Sequence, residues 1–263
     1  MLYPLNRHID TAAMYKNEEQ IGEAIAEVIS RGIVTREDLW VNFDTTDREG
    51  VLPALQASLK KLKLDYVDLY LIHSSLNPLS SEGHDYLNVW KGMEDVKRLN
   101  LARSIGVSNF NSSEINRILV NSNTIPSVNQ IEVNPTYTNL ELVAYCQSMN
   151  ITVLSYAPFG FMVPRPFVNN PTTSTFNEPV LVKLAKKYEK TSSQIVLRYL
   201  IDLETIPIPK SADMERIKLN IDVFDFFLTS EEIYSINELN ENAKVFNFDQ
   251  EHLTAIFDYF DMY

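Results

Sequence analysis

Asp10 and Tyr15 stand five residues apart in the stretch Arg7-His8-Ile9-Asp10-Thr11-Ala12-Ala13-Met14-Tyr15-Lys16-Asn17-Glu18-Glu19. A phenol can deliver a proton, but its unperturbed pKa is about 10, and a nearby cation is the usual means of lowering it. The stretch reads as a short strand, a turn of small residues and the first turn of a helix. That puts Asp10 at the C-terminal end of the strand and Tyr15 on the turn. Both would face the mouth of an α/β barrel, where such folds keep their chemistry. A carboxylate and a phenol at this spacing are weak evidence alone. They gain weight from Leu71-Ile72-His73, Ile105-Gly106-Val107-Ser108-Asn109-Phe110 and Ile208-Pro209-Lys210-Ser211 further along.

The elements that must position these residues alternate strand and helix. Asn17 to Arg31 has Ile21, Ala24, Ile25 and Val28 on one face, Glu18 and Glu19 in its first turn, and Gly32 beyond its end, which predicts a helix. Leu39 to Phe43 and Asp65 to His73 are apolar, β-rich runs. Leu52, Leu55 and Leu59 mark a helix over 48–62, and Trp90, Met93 and Val96 one over 83–100. A strand over 103–107 leads to a helix over 112–121 opened by serine caps. Strands over 127–133 and 151–156 flank a helix over 140–149. After a loop rich in Pro, Asn and Thr come helices over 178–188 and 192–203, a last strand over 205–208, and helices over 214–223 and 230–239. This alternation implies parallel pairing and right-handed crossovers. The fold class expected is α/β, a (β/α)8 barrel of TIM type with seven of its eight strands visible. The expectation is one domain over residues 1–263, with the aromatic tail after residue 245 packing near the barrel mouth.

Composition narrows the function. A formal net charge of −12 argues against nucleic acid, which needs a basic face. A phosphate-bearing cofactor needs only two or three local cations and stays open. The single cysteine, Cys146, rules out an intramolecular disulfide and fits a reducing cytosol, so a cytoplasmic protein is expected. No signal peptide is read at the start, and no apolar run approaches a membrane span. No GxGxxG follows any strand, which removes a Rossmann site from contention.

The contexts DTAxxYxNE around Asp10 and Tyr15, YLIH around His73, and KSxxxxRIxxN over Lys210, Ser211, Arg216 and Asn220 resemble the aldo-keto reductases, in the order that family shows. The resemblance runs over essentially the whole chain. It implies NADP(H)-dependent reduction of a small-molecule aldehyde or ketone to the alcohol by a monomer, with no metal, nucleic acid or membrane involved. By resemblance Tyr15 is the proton donor, His73 the hydrogen-bond partner of the carbonyl oxygen, and Asp10 the carboxylate that holds a lysine beside Tyr15. Ser108, Asn109 and Gln130 would bond the nicotinamide carboxamide, and Tyr156 would stack on its ring. Lys210 and Arg216 would take the 2′-phosphate of NADP, with Ser211 and Asn220 beside them.

The chain departs from the family's pattern. The lysine is expected at the end of the next strand, in a stretch resembling VTTKLW. Here the stretch is Trp40-Val41-Asn42-Phe43-Asp44-Thr45-Thr46, and Asp44 takes the lysine's place. Two carboxylates, Asp10 and Asp44, would then flank Tyr15 and raise its pKa. Very slow or absent carbonyl reduction is expected, with a non-catalytic nucleotide-binding or structural barrel as the alternative. Asp213 stands where a hydroxyl often meets the 2′-phosphate, Leu219 where an acid often meets adenine, and Phe161 where a small residue is common. The loop after His73 is short and begins with Ser74 rather than a tryptophan. The family's N-terminal hairpin and first βα unit are not visible before Arg7, so open strand edges are expected at 7–10 and 205–208.

Overall fold

In a computed structural model, residues 7–45, 50–75, 85–165 and 169–246 are described. Seven strands follow one another in the sheet in their order along the chain, from β1 (His8–Ala12) to β7 (Ile206–Pro207). The chain divides into two compact units, one up to Asn129 and one from Gln130. The expected tail from residue 247 onward and most of the loop after His73 lie outside the described residues.

The first unit is built on β1, β2 (Trp40–Thr45), β3 (Val67–Ile72) and β4 (Ala102–Ser108), parallel throughout. The register sets Asp10 opposite Asn42 and Ala12 opposite Asp44. It sets Asp44 opposite Leu71 in turn. β3 is buried at all six positions, as the apolar run requires of a strand covered on both faces. Helices α1 (Glu18–Ser30), α2 (Val51–Leu62), α3 (Tyr86–Arg98) and α4 (Ser112–Asn121) follow the four strands. Ile25 and Val28 of α1, Leu55 and Leu59 of α2, and Trp90, Met93 and Val96 of α3 are buried at helical spacing, as expected. The serine caps expected on α4 are not the cap. Asn111 accepts from the Glu114 amide and Glu114 returns a bond to the Asn111 amide, a closed capping box that leaves Ser112 and Ser113 inside the helix.

Two features hold this unit together away from the strand ends that carry Tyr15 and His73. Asp68 is fully buried and accepts from Arg36 at 2.8 Å, Arg103 at 3.1 Å and the Val41 amide at 2.9 Å. The Arg36 and Arg103 guanidiniums lie over the Tyr66 ring, 4.0 and 4.2 Å from its centroid. Gly106 allows a close approach in the core. A Cβ there would sit 2.6 Å from the Val128 carbonyl oxygen and 2.8 Å from Leu71 Cδ2.

The second unit carries β6 (Thr152–Tyr156) and β7, paired in parallel with Leu154 opposite Ile206. β5 (Val128–Glu132) runs across the division in the chain. Helices α5 (Leu140–Ser148), α6 (Pro179–Tyr188), α7 (Ser192–Asp202), α8 (Met214–Ile221) and α9 (Ser230–Asn237) complete it. Thr191 and Thr229 close capping boxes on α7 and α9. Glu132 is buried and accepts from the amides of Val245 and Phe246 at 2.8 and 3.0 Å, which fixes the end of the described chain. Glu241 reinforces this by accepting from Thr172 and Ser174 of the loop before α6.

Candidate functional site

In the first unit the chain brings Asp10, Tyr15, Asp44 and His73 together. β1 carries Asp10, and a short 3-10 turn over Ala13–Tyr15 continues from the strand. Lys16 ends that turn in the left-handed region at φ 53°, so the chain reverses just after Tyr15. Parallel pairing of β1 to β2 and β2 to β3 sets Asp44 between Ala12 and Leu71. His73 follows β3 directly, and its Nδ1 lies 3.3 Å from Oδ2 of Asp44. Asp44 is 2% exposed at its side chain and His73 14%.

The electrostatics of the cluster follow first from burial. Burial pushes the Asp44 carboxyl well above its ordinary range, and the nearby Asp10 charge adds to this. Burial likewise raises the Tyr15 phenol, and Asp10 and Asp44 push it further in the same direction. Burial lowers His73 to about 4, so its imidazole is neutral at pH 7. Tyr15 and Asp44 are thus both shifted toward their neutral forms in the folded chain. The described residues hold no group of three or more His, Cys, Asp or Glu side chains able to hold a metal ion.

Asn42 is a member of this cluster that sequence reasoning passed over. Its Nδ2 donates to Asp10 Oδ1 at 3.2 Å, and its own Oδ1 accepts from Trp40 Nε1 at 2.8 Å. The signal was available, because residues 42 and 44 share one face of a strand. Ser108 closes β4, and Asn109 follows at φ 62°. Asn109 Nδ2 donates to the His73 carbonyl at 2.9 Å and to Ser108 Oγ at 3.1 Å. One side chain therefore ties the expected carboxamide pair to the backbone of the expected carbonyl ligand.

In the second unit Gln130 lies buried in β5 and Tyr156 ends β6, half-buried. The Phe246 ring meets Tyr156 edge-on, with centroids 5.7 Å apart. Glu132 holds the Phe246 backbone, so a residue two places from Gln130 governs what touches Tyr156. Phe161 is buried with Ala243 and Val245, which explains a large residue at that position.

Lys210 and Ser211 lie between β7 and α8, and Arg216 and Asn220 lie on α8, which buries none of its residues. Lys210 and Arg216 are exposed. Asp213 caps the helix, accepting from the Arg216 amide at 2.9 Å, and its other oxygen is 3.9 Å from Arg216 Nε. A carboxylate therefore competes for Arg216 at the N-terminus of α8.

Comparison with known proteins matches these features to one family. The Aldo/keto reductase family model matches residues 6–241. The chain is 54% identical over 246 residues to the aldo-keto reductase AKR2E4 of Bombyx mori, covering 91% of this chain and 80% of that one. It is 38% identical over 279 residues to human aldo-keto reductase family 1 member C3, covering 98% and 86%. Among solved structures it resembles Bombyx mori AKR2E4 in complex with NADP, with TM-score 0.88 and 53% identity, covering 92% of this chain and 81% of that one. It also resembles AKR2E5 complexed with NADPH, with TM-score 0.86 and 35% identity, covering 92% and 76%. The seven parallel strands, their helices and the similarity over nine-tenths of the sequence have one reading: this chain belongs to the aldo/keto reductase family of oxidoreductases, with its (β/α)8-type fold.

Proposed function

We propose that this protein reduces a small aldehyde or ketone to the alcohol with NADPH, slowly. Tyr15 delivers the proton and His73 hydrogen-bonds the carbonyl oxygen. The observation that carries the reading is the cluster of Asp10, Tyr15 and His73 at the strand ends of the first unit, in a chain whose relatives include reductases crystallised with NADP and NADPH. Hydride comes from the cofactor. The protein's part is to place a proton donor at the oxygen and stabilise the oxyanion in a dry site. Ser108, Asn109, Gln130 and Tyr156 are the residues we assign to the nicotinamide. Lys210, Ser211, Arg216 and Asn220 are those we assign to the 2′-phosphate side, which favours NADP over NAD.

The rate is limited because position 44 supplies no cation to Tyr15. With the phenol raised rather than lowered, proton delivery loses the help of a cation. A second reading, a nucleotide-binding relative without turnover, is favoured by the same buried carboxylate. Titration of the purified chain with NADPH and with NADH, followed by protein fluorescence, tests the cofactor assignment. Roughly micromolar binding with preference for NADPH supports it, and no binding at about millimolar cofactor overturns it. A turnover near 1 per second or above, ordinary for an enzyme, would overturn the expected slowness.

A further inference from the structure

We propose that Asp44, in its neutral form, donates its carboxyl proton to Nδ1 of His73 and fixes the imidazole as the tautomer that presents Nε2–H to the substrate oxygen. The last clause rests on the carbonyl-reduction reading, whereas the tautomer itself rests on geometry alone. Nδ1 is the imidazole nitrogen that faces Asp44, with Oδ2 at 3.3 Å. Nδ1 is buried and has no other hydrogen-bond partner among the described residues, and the same holds for Asp44 Oδ1. A neutral imidazole carries one N–H, and the group facing the other nitrogen decides which.

Two arrangements are open to the pair. In one, an ionised Asp44 accepts from Nδ1–H, and Nε2 is left as a bare acceptor, unable to donate to a carbonyl. In the other, Asp44 O–H donates to Nδ1, and Nε2 carries the hydrogen. The groups facing Asp44 among the described residues are Asp10 from β1, Tyr15 from the turn after β1, and His73 after β3. They are a carboxylate, a high-pKa phenol and a neutral imidazole, and none supplies positive charge. An ionised carboxylate buried there with one oxygen unpartnered is the costlier state. The second arrangement is therefore favoured. Asp44 acts through His73 and is a positioning residue, and its proton is not consumed in the cycle.

Two-bond proton–nitrogen correlation spectra of the full chain labelled with 15N-histidine read the tautomer directly, with His73→Gln providing the assignment. The expected result at pH 7 is a protonated Nε2 and an unprotonated Nδ1. A protonated Nδ1 overturns the proposal, whether or not the protein turns over. Kinetics supply the second readout. Asn at 44 can donate the same bond but cannot ionise. Asp44→Asn is expected to keep kcat within about threefold at pH 6–7. The parent's rate is expected to fall as pH rises and Asp44 loses its proton, and the rate of Asp44→Asn is not. Asp44→Ala is expected to lower kcat roughly a hundredfold, the scale of a misplaced acid–base group, with NADPH affinity unchanged. A pH profile identical in Asp44→Asn and the parent overturns the proposal. Absence of NADPH turnover in the parent would instead overturn the reduction reading, and the nitrogen spectra would still decide the tautomer.

Discussion

Asn42 donates to Asp10 at 3.2 Å, and two residues further along the same strand Asp44 lies opposite Ala12. The Asp10 carboxylate is thus held by an amide on a strand whose next residue on that face is an acid. Asp44→Lys restores a cation beside both Asp10 and Tyr15. It is expected to raise kcat for carbonyl reduction at pH 7 by at least about tenfold, toward the scale of one oxyanion donor. The gain must exceed what is lost with the Asp44–His73 pair. Steady-state rates of the two proteins under saturating NADPH decide it.

The pH dependence of stability has a sign fixed by burial. The Asp44 carboxyl is raised in the folded state above its ordinary value near 3.8. Below that value Asp44 is neutral in both states and costs nothing. As pH rises through the folded pKa, the unfolded chain gains from ionising and stability is lost. Asp44→Asn removes this loss. Its melting temperature is expected to exceed the parent's by a margin that is larger at pH 8 than at pH 5. A pH-independent difference would show that Asp44 does not titrate as described.

Asp68 should matter to stability and not to chemistry. It is fully buried and holds Arg36, Arg103 and the Val41 amide. Removing Asp68 takes away the carboxylate and leaves Arg36 with only the Leu39 and Tyr66 carbonyls as acceptors, so Asp68→Ala is expected to cost about 3–5 kcal/mol. Urea unfolding measures this, and NADPH affinity of the remaining folded protein should stay the same.

Glu132 should link stability to cofactor binding. It accepts from the amides of Val245 and Phe246 through both carboxylate oxygens. In Glu132→Gln one of those oxygens becomes an NH2 that faces an N–H donor. The expected cost is about 1–3 kcal/mol, as for a buried donor left unmatched. Because Phe246 packs on Tyr156, NADPH affinity should also fall. A stability loss with unchanged affinity would separate Phe246 from the assigned role of Tyr156.

The charge at α8 gives a cofactor-specific test. Arg216 lies 3.9 Å from Asp213, which caps the helix and would repel a phosphate bound there. Asp213→Ser keeps a capping oxygen and removes the charge, and is expected to tighten NADPH by several-fold and leave NADH unchanged. Arg216→Ala should weaken NADPH roughly tenfold, with NADH again unaffected. Parallel titrations with the two cofactors measure both.

The sequence by itself determined the succession of elements. Strand and helix alternate from His8 to Asn237 within a few residues of where hydrophobic period and turn residues put them, because those signals are local. It also singled out Asp10, Tyr15, Asp44 and His73, which the fold gathers into one cluster. The cap on α4 went to Asn111 rather than a serine, since several residues before a helix can cap it and only backbone geometry selects one. What the tertiary structure alone decided is pairing at a distance. That Asp44 meets His73 depends on the parallel register of β2 with β3. That Asn42 holds Asp10 depends on the register of β1 with β2. That Glu132 holds Val245 and Phe246 joins positions 113 and 114 residues apart. No local pattern encodes these contacts. They arise only when packing fixes the strands side by side, and burial then turns an ordinary carboxyl and an ordinary imidazole into a pair of shifted acids.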